Sequence, residues 1–202
     1  PVALAAMVLS SVTGCTTART PNTPTNAAEE QVVKLVPFEM KREDVDPSDP
    51  NYLRAHLKPF GLAPLSENPR PDLIERYRFL WTRTFHPAVL FEVEFKADGT
   101  GTYRANVWKD KHGSGRWVME ATHRLKQGDL DFFRHLITSY DLFKLPWSDG
   151  RAGYDGSSWF IELQRGEQHH EIYRWSPEEG PVKTFGMSLI EQGIDSVLIP
   201  IY

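Results

Sequence analysis

Apolar and polar residues alternate along the chain from about residue 73. In "AVLFEVEFK", Val89, Phe91, Val93 and Phe95 fall on one side and Glu92, Glu94 and Lys96 on the other. That period of two predicts a half-buried strand. Asp98-Gly99 predicts a hairpin turn, and the returning "TYRANVW" alternates Tyr103, Ala105 and Val107. After "KDKHGSG" a further strand places Trp117, Met119 and Ala121 together, with Arg116, Glu120 and Arg124 outward. Upstream, "ERYRFLWTRT" is expected to pair with this meander.

The period then changes. Leu130, Phe133, Leu136, Ile137 and Tyr140 follow a 3.6-residue spacing and predict a helix lying on the sheet. "PWSDGRAGYDG" interrupts the pattern. "SSWFIELQ" and "QHHEIYRW", joined by "RGE", predict a second hairpin. A last helix begins at "EEGPVKTF", with Pro181 in its first turn, a stripe of Val182, Phe185, Leu189 and Ile190, and Gly193 as its end. "VLIPIY" predicts a closing edge strand blunted by Pro200. The expected fold class is α+β: an antiparallel β meander plus a second hairpin, with two helices packed on the sheet.

Before residue 73 the chain has another character, with ten of its 15 prolines at or before Pro71. "DPSDPNYLRAHLKPFG" predicts one short helix, with Asp49 able to cap, Pro50 suited to the first position, and Pro59 and Gly61 as stops. "LAPLSENPRP" is expected to be an irregular crossing, while Ala27–Met40 fits either a helix or a strand. The expected division is 1–14, 15–26, 27–72 as a proline-rich lead-in, and 73–202 as the globular domain.

Val2 to Leu9 is almost unbroken small and branched hydrophobics, with no charge before Arg19. It is too short to span a bilayer but suits the apolar core of a secretory signal. Val12, Thr13, Gly14 and Cys15 follow it, and Cys15 is the only cysteine. These four residues resemble the lipobox of bacterial lipoproteins. The resemblance implies a signal at 1–14, clipped at its start, cleavage before Cys15, and lipid attachment to the Cys15 thiol. It also implies a periplasm-facing location on the cell envelope. Thr16 lacks the aspartate that retains many such proteins in the inner membrane, which favours the outer one. "TTARTPNTPTN" buries nothing and suits a tether.

Net charge is −4 with 23 basic and 27 acidic residues, and no basic stripe appears, which argues against a nucleic-acid partner. Motifs for catalysis are weak. His169 and His170 are neighbours on an expected strand and point to opposite faces, so they cannot chelate one metal together. A site from His86, His112, His123 or His135 would need assembly in three dimensions. "HGSGR" and "DGSSW" are not G-x-S-x-G elbows. Asp149, Asp155, Glu162 and Glu171 define no pair without distances, and "DGRAGYDG" lacks a phosphate loop's lysine and helix. No catalytic residue, metal ligand or cofactor is assigned.

Pro146–Pro177 is the most informative stretch, interleaving Trp147, Tyr154, Trp159, Tyr173 and Trp175 with Asp149, Arg151, Asp155 and Arg174. Trp159 aligns with Ile161 and Leu163 and is expected in the core, and Trp175 is expected to cover the following helix. Trp147, Arg151, Tyr154 and Asp155 fall in a glycine-rich loop of the kind that carries binding surfaces. They are the candidate partner-binding residues.

"FLWTRTFHP", "DGSSWFIE" and "YRWSPEEG" together resemble a group of bacterial envelope proteins with an aromatic-Leu-Trp strand, a D-G-x-x-W strand opening and an R-W-S-P strand ending. That resemblance spans roughly Tyr77 to Gly193 and implies one domain without implying a mechanism. The expectation is a lipid-anchored protein whose domain binds a protein partner in the periplasm, for instance as an immunity protein against a toxic effector. The alternatives are an envelope hydrolase with a site assembled from separate strands, and an envelope-assembly or small-ligand-binding lipoprotein.

Overall fold

A computed structural model describes residue 49 and residues 51–109 and 115–194. Cys15 with its lipobox and tether, Ala27–Met40, His112, Ser114 and "VLIPIY" lie outside the described residues.

The alternating segments form β1 (Leu73–Arg83), β2 (His86–Lys96), β3 (Gly101–Lys109) and β4 (Arg116–Leu125), each antiparallel to the next. Helix α2 (Gln127–Ser139) then leads to β5 (Ser157–Arg165) and β6 (Gln168–Trp175). β5 pairs with the opposite edge of β1, giving a six-stranded order β4-β3-β2-β1-β5-β6. The segment expected to join the meander from upstream is therefore the strand between meander and hairpin. Helix α3 (Pro181–Ile194) follows, and the whole is α+β with both long helices on one face.

That face is the main core. Tyr77, Phe79, Phe91, Val93, Phe95 and Tyr103 stand on it, met by Leu130, Phe133 and Ile137 of α2 and by Val182, Phe185, Leu189 and Ile190 of α3. The Phe133 ring lies 5.9 Å from Tyr77 and 6.2 Å from Phe185. Each such ring or aliphatic chain is worth about 1.5–3 kcal/mol on burial. The buried Tyr103 hydroxyl donates to the Leu189 carbonyl at 2.6 Å, which ties α3 to β3. Gly193 lies inside α3 and does not end it, and the close approach there needs glycine, since a Cβ would strike that same hydroxyl.

The opposite face departs from the half-buried expectation. The lead-in folds onto it through α1 (Tyr52–Leu57) and the 3-10 turns Lys58–Phe60 and Leu65–Glu67. Tyr52, Leu53, Leu57 and Phe60 pack with Leu80, Leu90, Phe160 and Tyr173 as a second core. α1 starts at Tyr52 after an Asn51 cap, while the Asp49 side chain accepts from Asn51 N–H at 2.7 Å. Gly61 ends the following turn in the left-handed conformation, φ 68°, a geometry glycine adopts without penalty.

β4 also breaks the simple alternation. Ala121 pairs with Ala105 but Met119 pairs with Asn106, so one extra residue bulges between them. The bulge reverses the side-chain phase. Ala121 faces the main core, whereas Trp117 pairs with Trp108 on the lead-in face and donates from Nε1 to the Phe60 carbonyl at 2.9 Å. Trp175 also belongs to the second core and does not cover α3.

Candidate functional site

Two segments meet at one end of the strands: the β1–β2 turn at Thr84-Phe85 and the loop ahead of β5. Thr84 N–H donates to the Gly156 carbonyl at 3.0 Å, and Gly156 N–H donates to Thr84 Oγ1 at 3.1 Å. Gly156 sits at φ 145°, and a Cβ at Gly153 or Gly156 would run into the Trp175 ring. The loop backbone thus lies directly on that indole, an approach only glycine allows. Ser148 Oγ and Asp149 Oδ1 accept from Gly150 N–H (3.0 Å) and Arg151 N–H (3.1 Å), which orders the loop's first half.

These constraints leave two large rings in solvent. Tyr154 is 88% exposed and Phe85 63% exposed. Arg151 and Asp155 are exposed on the same loop, Arg151 lying 3.8 Å from Asp149, which also approaches Arg174. Trp147 is placed differently. Its ring is half-buried against the second core, edge-on to Tyr52 at 6.2 Å and stacked on Tyr173 at 6.0 Å. Its carbonyl accepts from Tyr173 N–H and from Arg174 Nη1. Three of the four candidate residues therefore share the loop surface and the fourth packs beneath it. Phe85 went unread in the sequence, although an aromatic residue between two alternating runs was its available signal.

Beside this end, Arg83 lies over the Trp81 ring at 4.4 Å and donates to the Pro87 carbonyl at 2.9 Å. Burial pushes its guanidinium down to about 10, so it remains charged at neutral pH.

Further along the lead-in face runs a layer of charge. Arg78 donates from Nη1 to Glu162 Oε2 (3.0 Å) and the Ala63 carbonyl (2.8 Å), and from Nε to Glu92 Oε1 (3.1 Å). Leu65 N–H donates to Glu162 Oε1 at 2.6 Å. The lead-in crossing is therefore fastened to the sheet by its own backbone. Glu162 is only 2% exposed; burial pushes its carboxyl up, against the pull of Arg78 and the Leu65 amide. Burial also raises Glu171, its cross-strand neighbour, with Glu162 adding to the effect. Both Glu162 oxygens are engaged, so Glu162 works as an anchor for the lead-in.

His170 turns toward the helix side, within 2.9 Å of the Leu145 carbonyl and 6.1 Å from the Phe143 ring, while His169 pairs with Gln164 on β5. Burial holds His170 below the usual histidine range. Among the described residues no three His, Cys, Asp or Glu side chains gather at a metal-binding spacing, and no helix is long and apolar enough to cross a membrane. No protein-family model matches the chain, and no curated protein matches it.

Proposed function

We propose that the chain is a lipid-anchored envelope protein whose domain binds a protein partner through the loop end of its sheet. The carrying observation is the Thr84–Gly156 clasp, which joins the two segments that carry the exposed rings of Phe85 and Tyr154 and the exposed charges of Arg151 and Asp155. Exposed aromatics on segments that also carry charge suit a protein interface, since aromatic rings have few rotatable bonds to order on binding and dominate hot spots. The anchor rests on the Val12–Cys15 lipobox and the polar tether after it. Two or more acyl chains give durable attachment. Blocking a toxic effector is the concrete form of this reading.

The test pairs binding with stability. Phe85→Ala and Tyr154→Ala should keep the wild-type melting temperature while weakening capture of the envelope partner about thirtyfold, which is about 2 kcal/mol each. Trp147→Ala should instead lower folding stability by about 2–3 kcal/mol, less than the 3–5 of a fully buried ring. Cys15→Ser should release the protein from membranes. Unchanged capture by both loop variants would remove the loop from the interface, and membrane retention of the cysteine variant would remove the anchor.

A further inference from the structure

At the opposite end of the strands, on the lead-in face, lies a cavity of about 590 Å³. The ends of β1, β2, β3 and β4 and the first residues leading into α2 border it, and it is partly open to solvent. Five cations line it (Arg70, Lys96, Arg104, Arg124 and Lys126) against two carboxylates, Asp72 and Glu94. That local excess of three positive charges stands out in a chain whose net charge is −4.

Both carboxylates are already engaged. Asp72 takes two hydrogen bonds from Arg70, at 3.0 and 2.9 Å. Glu94 receives Arg104 at 2.9 Å, with Arg76 at 3.6 Å and Arg70 at 3.8 Å. Lys96 helps to hold the exposed Asp72 and Asp98 carboxyls below their ordinary range. Among the described residues, Lys96, Arg124 and Lys126 form no ion pair of their own. Arg124 sits opposite Thr102, which pairs in turn with Glu94, so three adjacent strands present one polar row. Lys126 is fixed where the chain leaves β4, its backbone N–H donating to Asp129 Oδ2 at 2.7 Å.

We propose that this cavity binds a small phosphorylated molecule. A phosphate carries up to two negative charges and several acceptor oxygens, which match a guanidinium fork at Arg124 and point charges at Lys96 and Lys126. The volume lies in the range of small-molecule sites and exceeds what a bare phosphate fills. Leu73, Leu125 and the Thr102 hydroxyl line the remaining space and suit an organic remainder with both apolar and hydroxyl groups. The site is distinct from the loop surface and does not depend on it.

The test is calorimetric titration of the full chain with inorganic pyrophosphate and with glycerol 3-phosphate, at low and at moderate salt. The expected result is saturable one-to-one binding that weakens with salt. Arg124→Gln and Lys126→Gln should each weaken it about tenfold, while Lys58→Gln, an exposed change elsewhere, should leave it unchanged. All three variants should melt as wild type. A vesicle arm identifies the source of the phosphate, using the Cys15→Ser chain with phosphatidic acid or phosphatidylcholine vesicles. Sedimentation with phosphatidic acid alone, lost in Arg124→Gln, supports the site with a lipid headgroup as its ligand. Binding of the soluble probes without such sedimentation supports it with a soluble ligand. Failure of every probe to bind at millimolar concentration, or equal binding by all variants, overturns the proposal.

Discussion

Replacing Glu162 with Leu tests whether the charged layer holds the lead-in to the sheet. The substitution keeps an apolar body of similar length on β5 and removes the acceptor of both Leu65 N–H (2.6 Å) and Arg78 Nη1 (3.0 Å). Breaking a buried pair from one side costs about 3–5 kcal/mol. Arg78 keeps Glu92 at 3.1 Å and the Ala63 carbonyl at 2.8 Å, which brings this part to about 3. An orphaned amide at Leu65 adds about 1 or more, giving about 4 kcal/mol in all. Glu162→Gln keeps an oxygen for Leu65 N–H but turns its amide NH2, a donor, toward Arg78 Nη1, so the charge and that hydrogen bond are both lost and about 3 kcal/mol is expected. For a domain whose total stability is about 5–15 kcal/mol, the first loss is severe. Urea unfolding followed by tryptophan fluorescence measures both, and Arg78→Met with Glu162→Leu completes a double-mutant cycle. The double variant should cost clearly less than the sum of the two singles, because neither Arg78 nor Glu162 then strands the other, although Leu65 N–H and Glu92 still lose a partner. A Glu162→Leu cost below about 1 kcal/mol, or single losses that simply add, would refute the anchoring role.

Two further perturbations address the helix side of the sheet. His170 sits below its ordinary pKa of 6.5 because burial disfavours its charge, so the folded chain binds fewer protons there than the unfolded chain. Its contribution is present above pH 6.5 and is lost as pH falls through the folded pKa. The melting temperature of wild type should therefore drop more steeply below about pH 6.5 than that of His170→Gln, and parallel melting curves against pH would contradict this. Gly186→Ala should lower stability by about 1–2 kcal/mol even though alanine favours the helix by about 1. The new methyl would run into the buried Trp159 ring, with Phe79 behind it, and thermal denaturation showing a gain would mean that α3 can lift off the sheet.

Local periodicity determined much of this protein. Strands β2, β3, β5 and β6, the Asp98-Gly99 turn and the buried stripes of α2 and α3 were all legible, because a side chain's direction repeats every 2 or 3.6 residues whatever the tertiary context. Periodicity says which positions share a face but not what covers that face. Glu92 and Glu94 read as the polar face of a half-buried strand, and Glu162 as one acid among many, until the lead-in crossing placed Ala63 and Leu65 over Arg78 and Glu162, partners 15 and 97 residues apart in sequence. The single extra residue in β4 turned Trp117 to the other core, and no composition signal marked it. The loop was legible as a loop, and Arg151, Tyr154 and Asp155 were found with it. Only the fold decided that Trp147 packs on Tyr173 while Phe85, some seventy residues away, joins Tyr154 at the surface. The basic cavity was invisible for the same reason: in a chain of negative net charge, five cations from separate segments converge only once four strand ends are aligned.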